Sequence, residues 1–179
     1  MRRQIHVSLN LALAEPDLEP ARLGDHLGQR FTVVQLVRYF GCLPCQDWLL
    51  KLSQAAPALA SLDASAIAVG GSAAYQARWL RDERGVQIPL LLDPEHEFRT
   101  AVEATKPLGV RMLDLRGMAA YVRALREGLH PQGLTRDVVR APGVVILDQS
   151  GTVRWQYLGN RVGDYPTLST VRRELQQLT

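Results

Sequence analysis

The chain reads as an α/β protein with a central mixed sheet covered by helices on both faces. Three observations predict this. Short apolar runs of strand length alternate with stretches of helical periodicity. The best of those runs, FTVVQLVRYF (31–40), is followed at once by Cys42-Leu43-Pro44-Cys45 and a helical pattern. The close of the chain, GVVILD (143–148), then QSGT, then VRWQYLG (153–159), reads as a β-hairpin that adds antiparallel strands to a parallel-dominated sheet. At 179 residues, 46% apolar and 22% charged, the sequence supports one domain with a sizeable core. We expect that domain to span 1–179, with residues 1–30 as an N-terminal extension and 105–140 as a helical insertion before the hairpin.

From the start of the chain, Ile5, Val7, Leu9, Leu11 and Leu13 alternate as in a half-buried strand. Arg2, Arg3 and the Ala12-Leu13-Ala14 triplet resemble parts of a secretion signal, but His6, Ser8 and Asn10 interrupt its would-be apolar core. Pro16, Asp17 and Pro20 open a loop-like lead-in that runs to residue 30. After the first central strand, Cys45, Leu49, Leu52 and Ala56 fall on one helical stripe that should face the core.

Ser65 to Gly70 is the next strand, and Gly70-Gly71 is read as a tight turn rather than an anion site, since no phosphate-loop lysine accompanies it. A helix over 72–84 carries Tyr75, Trp79 and Leu80 and stops at Gly85. Ile88 to Leu92 forms a third strand. Asp93 then caps a helix over 95–104, with Pro94 in its first turn. The acids around His96 suit a helix N-terminus better than a metal. A further helix, 116–129, carries Met118, Val122, Leu125 and Leu129 as its buried stripe and should lie outside the sheet. A polar loop, 130–140, leads to the hairpin. Asp164 to Pro166 opens a last helix with Leu168, Val171, Leu175 and Leu178 inward.

The order β-α-β-α-β-(α)-β-β-α, with CxxC after the first central strand, is a thioredoxin fold with an extra helical segment. Pro142 falls where that fold places a proline, before the hairpin strand and opposite the CxxC, and a cis Ala141–Pro142 bond is expected.

A cysteine at a helix N-terminus meets unpaired backbone N–H groups and the positive end of the helix dipole, which favour its thiolate. Cys42, at the tip, is assigned as the attacking thiol and should be the more exposed. Cys45, on the buried stripe, is the partner that closes a disulfide. The bland alternative is a pair of small hydrophobes. A zinc site would need two more ligands, and His6, His26, His96 and His130 are scattered, so neither metal nor cofactor is called for. Arg38 is a candidate to stabilise the thiolate, against a solvated strand end as the alternative. Trp48 should pack and Asp47 should be exposed.

The net charge of +3 is concentrated in residues 109–140, where Arg111, Arg116, Arg123, Arg126, Arg136 and Arg140 face Asp114, Glu127 and Asp137. No aromatic platform accompanies these arginines, so they read as a solvated helix face and not as a nucleic-acid site. No apolar run reaches the about 18 residues a membrane helix needs. One cysteine pair without a disulfide framework points to the cytoplasm.

LGQRFTVVQLVRYFGCLPC, ARWLRDERGVQIPLLLDPEHEF and APGVVILDQSGTVRWQY together resemble the peroxiredoxin-like members of the alkyl hydroperoxide reductase and thiol-specific antioxidant family. The resemblance covers about residues 23–178, and its specific part is Gly-Cys-x-x-Cys after a strand. It implies a thioredoxin fold, a thiol nucleophile at Cys42, and peroxide or disulfide as electron acceptor. Typical members carry Pro seven residues and Thr three residues before that cysteine, where this chain has Gln35 and Tyr39. Pro44 before Cys45 is similar to the CxPC of thioredoxins, with Gly41 in place of their Trp.

The expected function is a thiol-dependent redox enzyme cycling Cys42 and Cys45 between dithiol and disulfide, with a thiol protein or small thiol as reductant. The alternative is a non-catalytic module that holds a protein partner through the surface near Cys42 and the 109–140 segment.

Overall fold

The computed structural model describes residues 4–71, 73–108 and 115–178. Two short strands, β1 (Ala12–Ala14) and β2 (Pro20–Arg22), pair antiparallel ahead of the main sheet. There follow β3 (Phe31–Leu36), α1 (Leu43–Ala60), β4 (Ala64–Val69), α2 (Ala74–Asp82), β5 (Leu90–Leu91), α3 (Glu97–Ala101), α4 (Leu115–Arg126), β6 (Gly143–Asp148), β7 (Val153–Leu158) and α5 (Leu168–Leu178). The five-stranded sheet runs β5-β4-β3-β6-β7, parallel from β3 to β5 and antiparallel on the β6–β7 side. The expected mixed sheet and hairpin are both present. The expected helix start at Ser72, and Arg111 and Asp114, lie outside the described residues.

Alternation along β3 sorts its side chains to two cores. Phe31 and Val33 join Leu49 and Leu52 of α1, Leu80 of α2, and Val171 and Leu175 of α5 on one face. Val34 and Leu36 join Val7, Leu13, Leu23, Phe98 and Val102 on the other. Each fully buried Leu or Val here stabilises by about 1.5–3 kcal/mol relative to exposure. The N-terminal segment also protects the sheet edges. Ala14 exchanges both backbone hydrogen bonds with Leu92, beyond β5, and Val153 N donates to Ile5 O beside β7.

Three details of the elements differ from expectation. The first strand ends at Leu36, and residues 37–42 form the connection that carries Arg38 and Tyr39 to the thiols. α3 begins at Glu97 and not at 95, because His96 takes a left-handed backbone (φ 59°). Asp93 still caps it from further out, accepting from the amides of Phe98 (3.4 Å) and Arg99 (3.3 Å). α4 is helical and outside the sheet as expected, but of its expected apolar stripe Leu129 alone is buried and the other three residues are turned outward. Met118, Val122 and Leu125 are 54%, 44% and 50% exposed, and the helix packs instead through Ala120 and Ala124, with Leu129 following. Small residues let it approach α1 closely; a Cβ on Gly163 would sit 2.9 Å from Pro44 Cβ and 3.0 Å from Ala120 Cβ.

Gly70, at φ +142°, closes β4 where a Cβ would run into the Val37 carbonyl, which bears out the structural reading of this glycine.

Candidate active site

The connection after β3 turns at Gly41, whose amide donates to Gln76 Oε1 of α2 (2.9 Å), and delivers Cys42 as the N-cap of α1. Cys45 lies in the first turn, its carbonyl held by Gln35 Nε2 (3.1 Å). The two thiols are free and lie beside one another.

Both are 0% exposed, which corrects the expectation that Cys42 would be the open one. The covering is supplied by α4 and the loop after it. Tyr121 of α4 lies near the thiols, and Gln76 Nε2 ties that loop down through Gly133 O (2.7 Å). A cleft of about 310 Å³ opens beside Pro44, lined by Trp48 and Tyr165 on one side and Arg123 on the other.

Arg38 is the cation of the site. Its Nη1 lies 3.5 Å from Cys42 Sγ, its Nε donates to Arg140 O (3.0 Å), and its Nη2 donates to Val138 O. A buried guanidinium held by neutral carbonyls keeps most of its field for the sulfurs. The solvated-strand-end alternative for Arg38 is thereby set aside.

The electrostatic order of the thiols reverses the expected one. Burial pushes Cys42 well above the ordinary thiol value, and donation of its proton to Cys45 keeps it protonated. Burial also pushes Cys45 up, but the Cys42 thiol, the Arg38 charge and the Tyr165 hydroxyl outweigh it and bring Cys45 down to about 6. The first proton to leave the pair therefore leaves a thiolate on Cys45 with Cys42 as its donor.

Three phenols surround the pair. Burial first, and then the thiol charges, raise Tyr39, Tyr121 and Tyr165, so all three remain protonated donors. Tyr165 donates to Leu36 O (3.1 Å) and stacks on Trp48 at 5.0 Å; the Trp48 indole donates to Pro166 O (2.8 Å). Trp48 thus packs as expected. Asp47 does not stay exposed: it is buried between Lys51 Nζ (2.6 Å) and Arg123 Nε (3.5 Å), because α4 covers its side of α1.

Pro142 enters the sheet next to Gly143, which pairs with Leu36 at the end of β3. Its peptide bond with Ala141 is trans, against the cis bond expected. Trans is the default for X-Pro bonds by about 0.5–1 kcal/mol, and here a buried side chain engages the preceding carbonyl: Arg99 Nη1 donates to Ala141 O (2.8 Å) while its Nη2 donates to Val37 O (2.7 Å).

Sequence reading missed Arg99, Tyr121, Tyr165 and Gln76. Only Tyr39 had a visible signal, its place three residues before Cys42. Among the described residues no group of three or more His, Cys, Asp or Glu gathers as a metal site, and no helix is long and apolar enough to cross a membrane.

A family model for the AhpC/TSA family matches residues 7–156, a span that holds both cysteines and Pro142. The chain belongs to the AhpC/TSA family. Membership supports a thiol-based peroxidase or oxidoreductase role at the level of the family, with a peroxide and a thiol reductant in general terms. Among solved structures, the chain is similar to Xanthomonas campestris peroxiredoxin Q (15% identity, TM-score 0.64, 95% of this chain and 90% of that chain covered). It is similar to the peroxidoxin BcpB from Mycobacterium tuberculosis (14%, 0.65, 99% and 97%). It is also similar to MTB dsbF, solved in mixed oxidized and reduced forms (14%, 0.58, 96% and 96%). These likenesses carry the fold, which is the thioredoxin fold. No curated protein matches the chain.

Proposed function

We propose that the chain is a thiol peroxidase in which Cys42 attacks a small peroxide and Cys45 closes the disulfide. The observation that carries the choice of peroxide over protein disulfide is the use already made of the backbone before β6. An extended peptide bearing a disulfide would pair with main-chain groups beside the thiols. The carbonyls of Val138, Arg140 and Ala141 are already taken by Arg38 and Arg99, and both sulfurs are covered. A small oxidant needs neither an open cleft nor a strand to pair with.

The chemistry closes on the two thiol protons. Transfer of the Cys42 proton to Cys45 places the charge on Cys42, beside Arg38 Nη1. That thiolate attacks one peroxide oxygen; the S–O bond forms, the O–O bond breaks, and the leaving alkoxide or hydroxide takes the proton from Cys45. The Cys45 thiolate then attacks the Cys42 sulfenic sulfur, forming the S–S bond and releasing hydroxide, which becomes water by taking from solvent the proton that the pair gave up on its first ionisation. Tyr39 and Tyr121 offer protonated hydroxyls to orient the peroxide, Tyr39 at the position where typical members carry Thr. Pro142 keeps its assignment to this site through its place beside Gly143, which pairs with Leu36 at the end of β3. A thiol reductant, protein or small molecule, returns the disulfide to dithiol.

The exposed Met118, Val122 and Leu125 on α4 favour a second reading, the non-catalytic module that binds a protein partner. Stopped-flow mixing of the reduced protein with hydrogen peroxide and, separately, with a model disulfide decides among these. We expect the peroxide to react the faster, with loss of turnover in Cys42→Ser and in Cys45→Ser. Reaction with the disulfide alone makes the protein a reductase, and reaction with neither leaves the module.

A further inference from the structure

We infer that His96 and Asp137 are positioning residues for the thiol pair, anchoring the turn whose two carbonyls hold Arg38 against Cys42. This rests on the reading of Arg38 as the group that stabilises the thiolate.

Both carbonyl acceptors of Arg38 come from one short segment, the 3₁₀ turn Arg136–Val139 and the residue after it. Where that segment sits therefore sets where the guanidinium points. The turn is closed by Thr135 Oγ1, which accepts from Asp137 N (3.3 Å), and by Arg140 N donating to Asp137 O (3.0 Å). Leu108 N donates to Val139 O (2.8 Å) and fixes its flank. These bonds shape the turn and, with the antiparallel bridge of Pro107 to Arg140, hold one of its flanks.

Its seat on the fold is the loop ahead of α3. The Asp137 carboxylate is fully buried, and its Oδ1 lies 3.0 Å from His96 Nε2. Next to this contact, Arg136 Nη2 donates to Pro94 O (2.6 Å). His96 is held in a left-handed backbone, with its amide donating to Asp93 O (3.2 Å), an arrangement that aims its ring at the turn. Nε2 is the ring nitrogen turned to the carboxylate, and Nδ1 finds no partner among the described residues. Burial, with Arg140 adding to it, lowers His96 and keeps the ring neutral near pH 7. The relay thus runs from the ring of His96 to the Asp137 carboxylate, through the carbonyls of Val138 and Arg140 to the Arg38 fork, and ends at Cys42 Sγ. Because the last contact is 3.5 Å, a displacement of the turn by an ångström weakens it steeply.

The test is the pH profile of alkylation of the reduced full-length protein by iodoacetamide, with thermal melts run on every variant. Arg38→Met raises the midpoint of the profile. His96→Asn suits the left-handed backbone but is too short to reach Asp137, and it raises the midpoint by about half a pH unit, roughly threefold less thiolate on the acid limb. His96→Gln, which returns a polar group near the Nε2 position, brings the midpoint back. In the Arg38→Met background, His96→Asn adds nothing.

An unmoved midpoint in Arg38→Met sinks the thiolate reading, and the positioning role with it. A moved midpoint there, with none in either His96→Asn or Asp137→Asn, overturns the positioning role while the thiolate reading stands. Equal shifts from His96→Asn in both backgrounds overturn it too, since the effect then bypasses Arg38. Where one of the two variants fails to fold the other decides, and failure of both marks a purely structural pair and overturns the inference.

Discussion

Asp47 Oδ1 lies 2.6 Å from Lys51 Nζ, and its other carboxylate oxygen lies 3.5 Å from Arg123 Nε. A carboxylate on the first turns of α1 is thereby the buried tie between the thiol-bearing helix and α4. Burial pushes Asp47 up, but Lys51, Glu127 and Arg123 together lower it, so it stays ionised at neutral pH.

Asp47→Asn keeps the shape and removes the charge. The remaining cations then face a neutral amide in a buried place, and α4 should dock less firmly. We expect the variant's thiols to react several-fold faster with a bulky aromatic disulfide reagent, and nearly as before with iodoacetamide, which is small enough to enter the closed site. Equal rate changes for both reagents would show that α4 does not gate the thiols.

The thiol pair predicts a pH dependence of stability with a definite sign. Cys45 falls from its ordinary 9.0 to about 6 on folding. A lowered acid contributes stability that is fully present above the unfolded value and is lost as pH falls through the folded one. The reduced protein should therefore gain stability as pH rises from about 6 to 9, and Cys45→Ser should flatten that slope. Cys42 moves the opposite way and titrates above this window in the folded chain, so it leaves the sign unchanged there. Denaturant midpoints of both proteins across that range check it.

The parts of this site that were legible in the sequence are those that sit together in it. Cys42 and Cys45 are three residues apart at the end of an apolar run, and Leu49 and Leu52 repeat with helical spacing, so the nucleophile helix and its inward face could be read directly. Arg38 lies only four residues from Cys42, but its role depends on carbonyls about 100 residues further on, which no local pattern encodes. The same distance hid Arg99 and Tyr165. For α4, periodicity gave the helix but not its facing. The apolar Met118, Val122 and Leu125 suggested the wrong side, and close docking on α1 selected Ala120 and Ala124 instead. Asp47 was misplaced for a related reason: its face of α1 is polar, and the helix that buries it comes from far along the chain. The cis bond at Pro142 was expected from the layout of the fold, whereas the Ala141 carbonyl it involves is held by Arg99, again out of reach of local reading.

That Arg99 contact carries the last prediction. Its guanidinium is buried and bridges Val37 O, just past β3, to Ala141 O, just before β6, so it both ties two segments together and withholds Ala141 O from any incoming strand. Arg99→Gln is too short to span both carbonyls and leaves at least one buried acceptor unpaired, a loss of about 1–3 kcal/mol readable in a urea melt. Burial already lowers the Arg99 ionisation, so removing its charge recovers part of a desolvation cost and holds the loss within that range. The functional consequence runs the other way. With Ala141 O released, an extended peptide gains a main-chain partner beside the thiols, and the rate with a peptide disulfide should rise relative to the rate with hydrogen peroxide, each measured per folded molecule. A ratio unchanged from that of the parent protein would mean that the engaged carbonyls are not what excludes peptide substrates, and covering by α4 alone would then have to account for the exclusion.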